Sequence, residues 1–138
     1  MSTTAIASLL GGSDVIFERL IQLNVAAEAT FVTENIGCEW FRDTGDSLAQ
    51  VQVYPGGGWA AEMTLTSLNA TPVKVARLRD GDVALTHCSD VSLYEFWICT
   101  LEVVANGTWL RAIGSAPDEA AATAISITLA EAALSLRR

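Results

Sequence analysis

Residues 93–117, LYEFWICTLEVVANGTWLRAIGSAP, decide the fold of this chain. The run 93–104 is rich in aromatic and β-branched residues, which are favoured in strands. Asn106 and Gly107 follow, and an Asn-Gly pair supplies the positive φ angles that a two-residue hairpin turn requires. Residues 109–113 have the composition of the return strand. The stretch therefore predicts an antiparallel hairpin.

A helix is predicted directly after this hairpin, over about residues 116–136. Ser115 is a suitable N-cap, and Pro117 fits the first turn. Asp118 and Glu119 lie beside the positive end of the helix dipole, and two arginines stand at the negative end. The segment is apolar over more than one face and rich in alanine, so we expect it to pack closely against a sheet or a second copy of the chain.

The N-terminal part of the chain predicts a second helix, over about residues 13–28. Ser13 can cap it, and apolar residues recur at helical spacing as far as Leu23. From residue 36 to about 114, short β-rich runs alternate with turn signals, which predicts strands. We therefore expect one domain over residues 1–138. Its fold is predicted to be α+β: an antiparallel sheet of about six to seven strands, in two meanders or hairpins, flanked by an N-terminal and a C-terminal helix.

The two predicted meanders resemble each other at an offset of 50 residues. The first contains predicted strands at 48–54 and 59–66, and the second begins with predicted strands at 73–78 and 83–86. The positions Val51, Val53, Gly57, Trp59 and Met63 fall on Leu101, Val103, Gly107, Trp109 and Ile113. This similarity indicates either an internal duplication or the general likeness of two hairpins with a glycine turn, and both interpretations stay open.

The composition is that of a folded, acidic protein. With 51% hydrophobic and 17% charged residues, the chain can bury a core. Its net charge of −8 repels phosphate backbones, so we expect a protein partner and no direct contact with nucleic acid. The first residues lack the basic region of an export signal, and no uncharged run is long enough to span a membrane. The sequence thus predicts a cytoplasmic protein.

The negative charge is concentrated in the N-terminal half. Residues 1–73 hold eight acidic and two basic residues, a net charge of −6, and residues 74–138 hold eight acidic and six basic residues, a net charge of −2. This asymmetry predicts an oriented encounter with a basic surface on another protein. The same acidic residues could instead form a solvated edge that protects an edge strand from aggregation. The residues expected to contact the partner are Glu34, Glu39, Asp43, Asp46 and Glu62.

The cysteines and the single histidine are the residues with the most reactive side chains in this sequence. The three cysteines are Cys38, Cys88 and Cys99. They have no recognisable spacing, so reduced and buried thiols are expected rather than a disulfide framework. His87 would complete a Cys₃His zinc set, but the closely spaced cysteine pairs of structural zinc sites are missing. His87, Ser89 and Asp90 are the residue types of a hydrolase triad, yet a triad converges from separated positions. We expect no metal, no cofactor and no enzymatic activity.

The C-terminal third resembles a known family. The residues that carry the resemblance are 97–104, Asn106-Gly107, Trp109-Leu110-Arg111-Ala112, Ser115-Ala116-Pro117 and the apolar segment 120–134. In this respect the segment from Tyr94 to Leu136 is similar to the end of small phage-encoded proteins called the phage ABA sandwich domain. The family offers no catalytic residues to transfer. The resemblance implies a source in a phage or mobile element, and a small acidic protein that binds a host or defence protein.

These observations lead to three hypotheses about function. The first is a non-enzymatic protein-binding module, an inhibitor of a bacterial host or antiviral-defence complex that acts by stoichiometric occlusion and forms a homodimer in the host cytoplasm. The second is an acidic export chaperone of the type III secretion kind, although such chaperones usually place a helix between two groups of strands. The third is a small ligand-binding domain, for which no sequence motif supplies a set of reacting residues.

Overall fold

The computed structural model describes residues 15–27, 31–42, 47–54, 70–91 and 95–135. These residues form one antiparallel sheet of seven strands and one helix, so the fold is α+β. The elements in chain order are β1 (Val15–Ala27), β2 (Phe31–Arg42), β3 (Ser47–Tyr54), β4 (Thr71–Pro72), β5 (Val83–Val91), β6 (Phe96–Ala105), β7 (Thr108–Ala116) and α1 (Glu119–Ser135). The strand order in the sheet is β1-β2-β3-β7-β6-β5-β4.

The predicted C-terminal hairpin is confirmed. β6 and β7 pair from Trp97 opposite Ala116 to Ala105 opposite Thr108. The two turn residues between them, Asn106 and Gly107, have φ angles of 49° and 75°. These are the left-handed angles that favour Asn and Gly, which is why the Asn-Gly signal located the turn correctly.

The predicted C-terminal helix is also confirmed, with a different first turn. β7 extends to Ala116, and α1 begins at Glu119. The side chain of Asp118 accepts a hydrogen bond from the backbone N–H of Ala121 at 2.7 Å. Asp118 therefore caps the helix, in place of the predicted Ser115, because its carboxylate is the group that satisfies a free backbone donor of the first turn.

The predicted N-terminal helix over about residues 13–28 is wrong. Residues 15–27 form β1, which pairs antiparallel with β2 from Ala27 opposite Phe31 to Val15 opposite Arg42. The apolar residues of this segment are spaced closely enough to suit either a helix or a strand, and several of them are β-branched. The partner strand β2 decides between a helix and a strand, because its hydrogen bonds satisfy the backbone groups of this segment. β2 is not part of the segment, so the pattern of the segment alone does not reveal the choice.

Two details of the predicted meanders also need correction. The predicted strand 73–78 is not formed, because Arg77 adopts a φ of 71°, which interrupts a strand. The Asp-Gly turn that follows is confirmed, with Gly81 at a φ of 87°. In the first meander, β3 pairs with β2 on one side and with β7 on the other, so both of its sides are occupied. The predicted return strand 59–66 lies outside the described residues.

The core lies between α1 and one face of the sheet. Leu101 and Val103 of β6 and Ala112 of β7 are fully buried against Leu129 and Ala130 of α1. Small residues on both sides allow the helix axis to approach the sheet closely. The helix contacts mainly β7 and β6, so it covers the C-terminal strands of the sheet.

α1 approaches the sheet closely at Gly114 of β7. A Cβ atom at this position would lie 2.6 Å from the backbone oxygen of Ala122 and 2.7 Å from the Cβ of Ile125. The backbone oxygen cannot move without shifting the helix. Gly114 therefore sets the distance between helix and sheet.

We expect the Gly114→Ala substitution to lower the free energy of unfolding by about 2 kcal/mol, because the added methyl group overpacks this contact. The measurement is urea unfolding followed by tryptophan fluorescence. The control is Ala124→Ser, which adds one heavy atom at an exposed position of α1 and should change the stability by no more than about 0.5 kcal/mol. Equal stability of the Gly114→Ala variant and the natural protein would contradict close packing at this position.

Candidate functional site

The candidate site lies on the face of the sheet opposite α1. Successive residues of β6 alternate between the two faces, so Leu101 and Val103 belong to the core beneath the helix and Glu102 belongs to the other face. The one helix in the described part of the chain does not cover this second face. We call it the helix-free face. The residues of interest on it are Tyr54, His87, Glu102, Trp109 and Arg111.

Glu102 is the centre of this group. Its side chain is 0% exposed, although it carries a carboxylate. Arg111 donates from Nε to Oε1 at 2.9 Å, and His87 lies with Nε2 at 3.3 Å from the same oxygen. Trp109 donates from Nε1 to Oε2 at 2.7 Å. Both carboxylate oxygens are thus hydrogen-bonded, which offsets the cost of removing the charge from water.

The strand register explains how these residues meet. Glu102 lies directly opposite Arg111 of β7. On the same face, His87 lies opposite Thr100, which is two residues before Glu102 in β6. Trp109 lies opposite Val104, which is two residues after Glu102. Long side chains at direct and diagonal cross-strand positions are close enough to touch. We call His87, Glu102, Trp109 and Arg111 the Glu102 cluster.

An aromatic stack extends the Glu102 cluster to a fourth strand. Tyr54 of β3 stacks on Trp109, with ring centroids 4.6 Å apart and planes 22° from parallel. The Tyr54 hydroxyl donates to Oε1 of Gln52 at 2.9 Å. The guanidinium carbon of Arg111 lies 5.5 Å from the Trp109 ring centroid, within the range of a cation–π contact. Side chains from β3, β7, β6 and β5 therefore form one continuous polar and aromatic group.

The groups of the Glu102 cluster that a ligand could reach are its partly exposed side chains. The carboxylate of Glu102 is buried and hydrogen-bonded through both oxygens, so it orients its neighbours and does not itself face a ligand. The side chains of Arg111 and His87 keep 28% and 23% of their area exposed. Arg111 and His87 face Glu102 through Nε and Nε2. The guanidinium of Arg111 is a donor group that an anionic ligand could reach.

The structure describes two of the five acidic residues predicted to contact a partner. Glu34 and Glu39 lie in β2, opposite Asn24 and Arg19 of β1. β2 lies between β1 and β3, so the interpretation of these two residues as protection of an edge strand is wrong. The other three predicted positions, Asp43, Asp46 and Glu62, lie outside the described residues.

Part of the Glu102 cluster can be recognised from the sequence of the C-terminal hairpin. Glu102 is the one charged residue in the apolar strand β6. Once Asn106 and Gly107 form a two-residue turn, Ala105 must lie opposite Thr108, and counting back places Glu102 opposite Arg111. His87 could not be found in this way, since its register depends on the longer connection between β5 and β6.

The expectation of reduced thiols is wrong for two of the cysteines. Cys88 of β5 lies directly opposite Cys99 of β6, with Cα atoms 4.1 Å apart, and the two form a disulfide. The bond lies on the side of the sheet covered by α1, where the Thr123 hydroxyl donates to Sγ of Cys99 at 3.3 Å. Spacing along the chain did not reveal the pair because strand register, which is a tertiary property, sets these residues opposite each other.

The structure also describes residues of the two other candidate sites, the Cys₃His zinc site and the hydrolase triad. Within the described ranges, no group of three or more His, Cys, Asp or Glu side chains could hold a metal ion. His87 and Ser89 share one face of β5, and strand alternation places Asp90 on the other face. These three residues therefore do not form a triad.

Comparisons with protein-family models, with curated proteins and with solved structures find no match to this chain. Among the described residues, none of the helical structure is both long enough and apolar enough to cross a membrane.

We expect the Glu102→Gln substitution to lower the free energy of unfolding by about 3 kcal/mol, because it leaves Arg111 without its buried counter-charge and presents an amide N–H₂ to existing donors. Urea unfolding measures the change. The control is Glu131→Gln in α1, where the carboxylate accepts an exposed hydrogen bond from the backbone N–H of Ala76 at 3.0 Å. Its expected cost is below about 1 kcal/mol. Equal stability of the two variants would contradict a structural role for the Glu102 cluster.

Proposed function

We propose that the protein is a non-enzymatic protein-binding module that occupies a basic surface on another protein. The proposed setting is a phage or mobile element whose product inhibits a bacterial host or antiviral-defence complex by stoichiometric occlusion, as a homodimer in the host cytoplasm. The observation that carries the proposal is the net charge of −8, most of it in residues 1–73. The resemblance of Tyr94–Leu136 to the phage ABA sandwich domain supports the phage setting.

The strands that derive from residues 1–73 carry a net charge of −1, and the other acidic residues of this half lie outside the described residues. β1, β2 and β3 occupy one side of the sheet, and β7, β6, β5 and β4 occupy the other. The helix covers mainly the C-terminal side. The strands that derive from the more acidic half of the chain are therefore neighbours. A one-sided negative potential attracts and orients a basic partner, and added salt screens it.

The first experiment is capture of a partner. The immobilised protein is incubated with a bacterial lysate at low salt, and bound proteins are eluted at high salt and identified by mass spectrometry. We expect a single protein or complex with a basic surface, which is then purified for direct binding measurements. Recovery of the protein's own chain alone would contradict the proposal.

The second experiment tests the acidic residues with the purified partner. We expect reversal of Glu34, Glu39, Asp43 and Asp46 to Lys to abolish binding in isothermal titration calorimetry, because the four substitutions remove the attraction and replace it with repulsion.

A matched variant controls for net charge. It carries Lys at Asp80, Asp90, Glu95 and Glu119, all of which are exposed and belong to the C-terminal half. This variant should bind with nearly unchanged affinity. Circular dichroism confirms that both variants are folded. Unchanged binding by the first variant, or an equal loss in both, would contradict an oriented acidic surface.

The Glu102 cluster favours a second candidate function, the binding of a small anionic ligand. Arg111 and His87 are held in fixed positions by a buried carboxylate and keep part of their surface exposed. Arginine presents several donors in one plane, which suits a carboxylate or a phosphate group. The ligand would contact the exposed parts of Arg111 and His87, at the margin of the buried Glu102.

Titration with inorganic phosphate and, separately, with acetate tests this candidate. We expect a saturable shift of the Trp109 indole N–H resonance in NMR spectra, because this group hydrogen-bonds to Glu102 and contacts Arg111. The Trp40 indole, buried in the core beneath α1, is the internal control. Phosphate and acetate distinguish the two classes of anion, and sodium chloride at matched ionic strength controls for screening. A response that does not saturate, or that chloride reproduces, would exclude the site.

A further inference from the structure

The Cys88–Cys99 disulfide lies beneath the first turns of α1. Cys99 is 0% exposed and belongs to a small apolar cluster with Ala116 and Ala122. Cys88 packs against the same cluster but is only partly buried. The two cysteines therefore differ in their access from solvent, and Cys88 is the one that a dissolved reagent can reach.

The start of α1 provides a partner for each redox state of Cys99. In the disulfide, the Thr123 hydroxyl donates to Sγ of Cys99 at 3.3 Å and lies 3.6 Å from Sγ of Cys88. Sγ of Cys99 also lies 3.6 Å from the backbone oxygen of Glu119. A disulfide sulfur has no proton to donate, whereas a reduced thiol can donate to such an oxygen. The surroundings of Cys99 thus suit the thiol as well as the disulfide.

We propose that the Cys88–Cys99 disulfide is a site of thiol–disulfide exchange with a small-molecule thiol. The inference depends neither on the basic partner nor on the anion site. In the first step, the thiolate of the small molecule attacks Sγ of Cys88. The bond between the two protein sulfur atoms breaks, a mixed disulfide forms at Cys88, and Cys99 leaves as a thiolate. The Thr123 hydroxyl, which already donates to Sγ of Cys99, stabilises this thiolate.

A second molecule of the thiol completes the reduction. Its thiolate attacks the small-molecule sulfur of the mixed disulfide, the bond to Cys88 breaks, and Cys88 leaves as a thiolate. The two protons that the small thiols gave up are taken up by Cys88 and Cys99. Two thiols are thereby oxidised to one small-molecule disulfide, and the protein disulfide is reduced by two electrons. The reverse sequence, with the small-molecule disulfide as the oxidant, restores the bond.

The first experiment measures whether the bond exchanges in the folded protein. The full chain is incubated with an excess of reduced glutathione, free thiols are alkylated at intervals, and peptide mass spectrometry quantifies Cys88 and Cys99. We expect a reduction rate that urea leaves unchanged below the unfolding transition, and recovery of the bond when oxidised glutathione is added. Structural disulfides resist reduction by glutathione. A bond that opens only when urea unfolds the chain, or that does not re-form, would overturn the proposal.

Two matched variants identify the cysteine that is attacked. Cys99→Ala leaves the thiol of Cys88, Cys88→Ala leaves the thiol of Cys99, and each variant is incubated with oxidised glutathione. Peptide mass spectrometry locates the glutathione adduct and separates it from any adduct on Cys38. We expect Cys88 to react at least about 10-fold faster than the fully buried Cys99, because exchange requires access to the sulfur. Equal rates, or a faster reaction of Cys99, would overturn the proposal.

Acid trapping in the natural protein keeps the test decisive if either variant fails to fold. Acid protonates the free thiols during reduction and stops further exchange, so the mixed disulfide with glutathione can be located by peptide mass spectrometry. A mixed disulfide on Cys88 supports the proposal. A mixed disulfide on Cys99 would overturn it.

The substitution Thr123→Val tests the hydroxyl that stabilises the leaving thiolate. Valine keeps the branched shape of threonine and removes the donor to Cys99. We expect reduction of the folded variant by glutathione to be about 5-fold slower, the effect of one lost hydrogen bond. The matched control is Thr128→Val in the same helix, whose hydroxyl donates to the backbone oxygen of Ala124 at 2.7 Å. Equal reduction rates in the two variants would contradict the role of Thr123.

Discussion

The buried carboxylate of Glu102 is the interaction on which the arrangement of the central strands depends. A charge without exposure to water in the middle of a sheet requires donors from its neighbours, and Arg111, Trp109 and His87 supply them from the strands on either side. A shift of β5 or β7 by one residue would move these donors to the opposite face and leave the charge unpaired. Glu102 thus specifies the register of three adjacent strands.

The opposite face of the sheet constrains the same strands in a different way. The Cys88–Cys99 disulfide links β5 to β6 beneath α1, and the absence of a side chain at Gly114 allows the helix to lie close to β7. A covalent link and a close helix contact on one side, and a hydrogen-bonded carboxylate on the other, make β5, β6 and β7 the rigid centre of the molecule. The strands β3, β2 and β1 continue the sheet beyond β7.

Much of the C-terminal half could be predicted from local signals. The Asn-Gly turn and the acidic residues at the start of α1 act over a few residues, so their effects do not depend on distant parts of the chain. The prediction for β1 was wrong because its apolar pattern suits two periods, and only pairing with β2 decides between them. The Glu102 cluster could be predicted only in part. The pairing of Glu102 with Arg111 follows from the position of the turn, whereas His87 and the stacked Tyr54 belong to strands that are farther away in the chain.

The sequence by itself determined that the protein is acidic and folded, that a hairpin turns at Asn106-Gly107, and that a helix follows it. Each of these properties depends on composition or on residues that are neighbours in the chain. The tertiary structure alone decided that residues 15–27 form a strand paired with β2, that Cys88 meets Cys99, and that His87 and Trp109 meet at Glu102. The physical reason is that strand pairing joins residues far apart in the chain, and its register is set by the sum of contacts across the whole sheet rather than by any one segment.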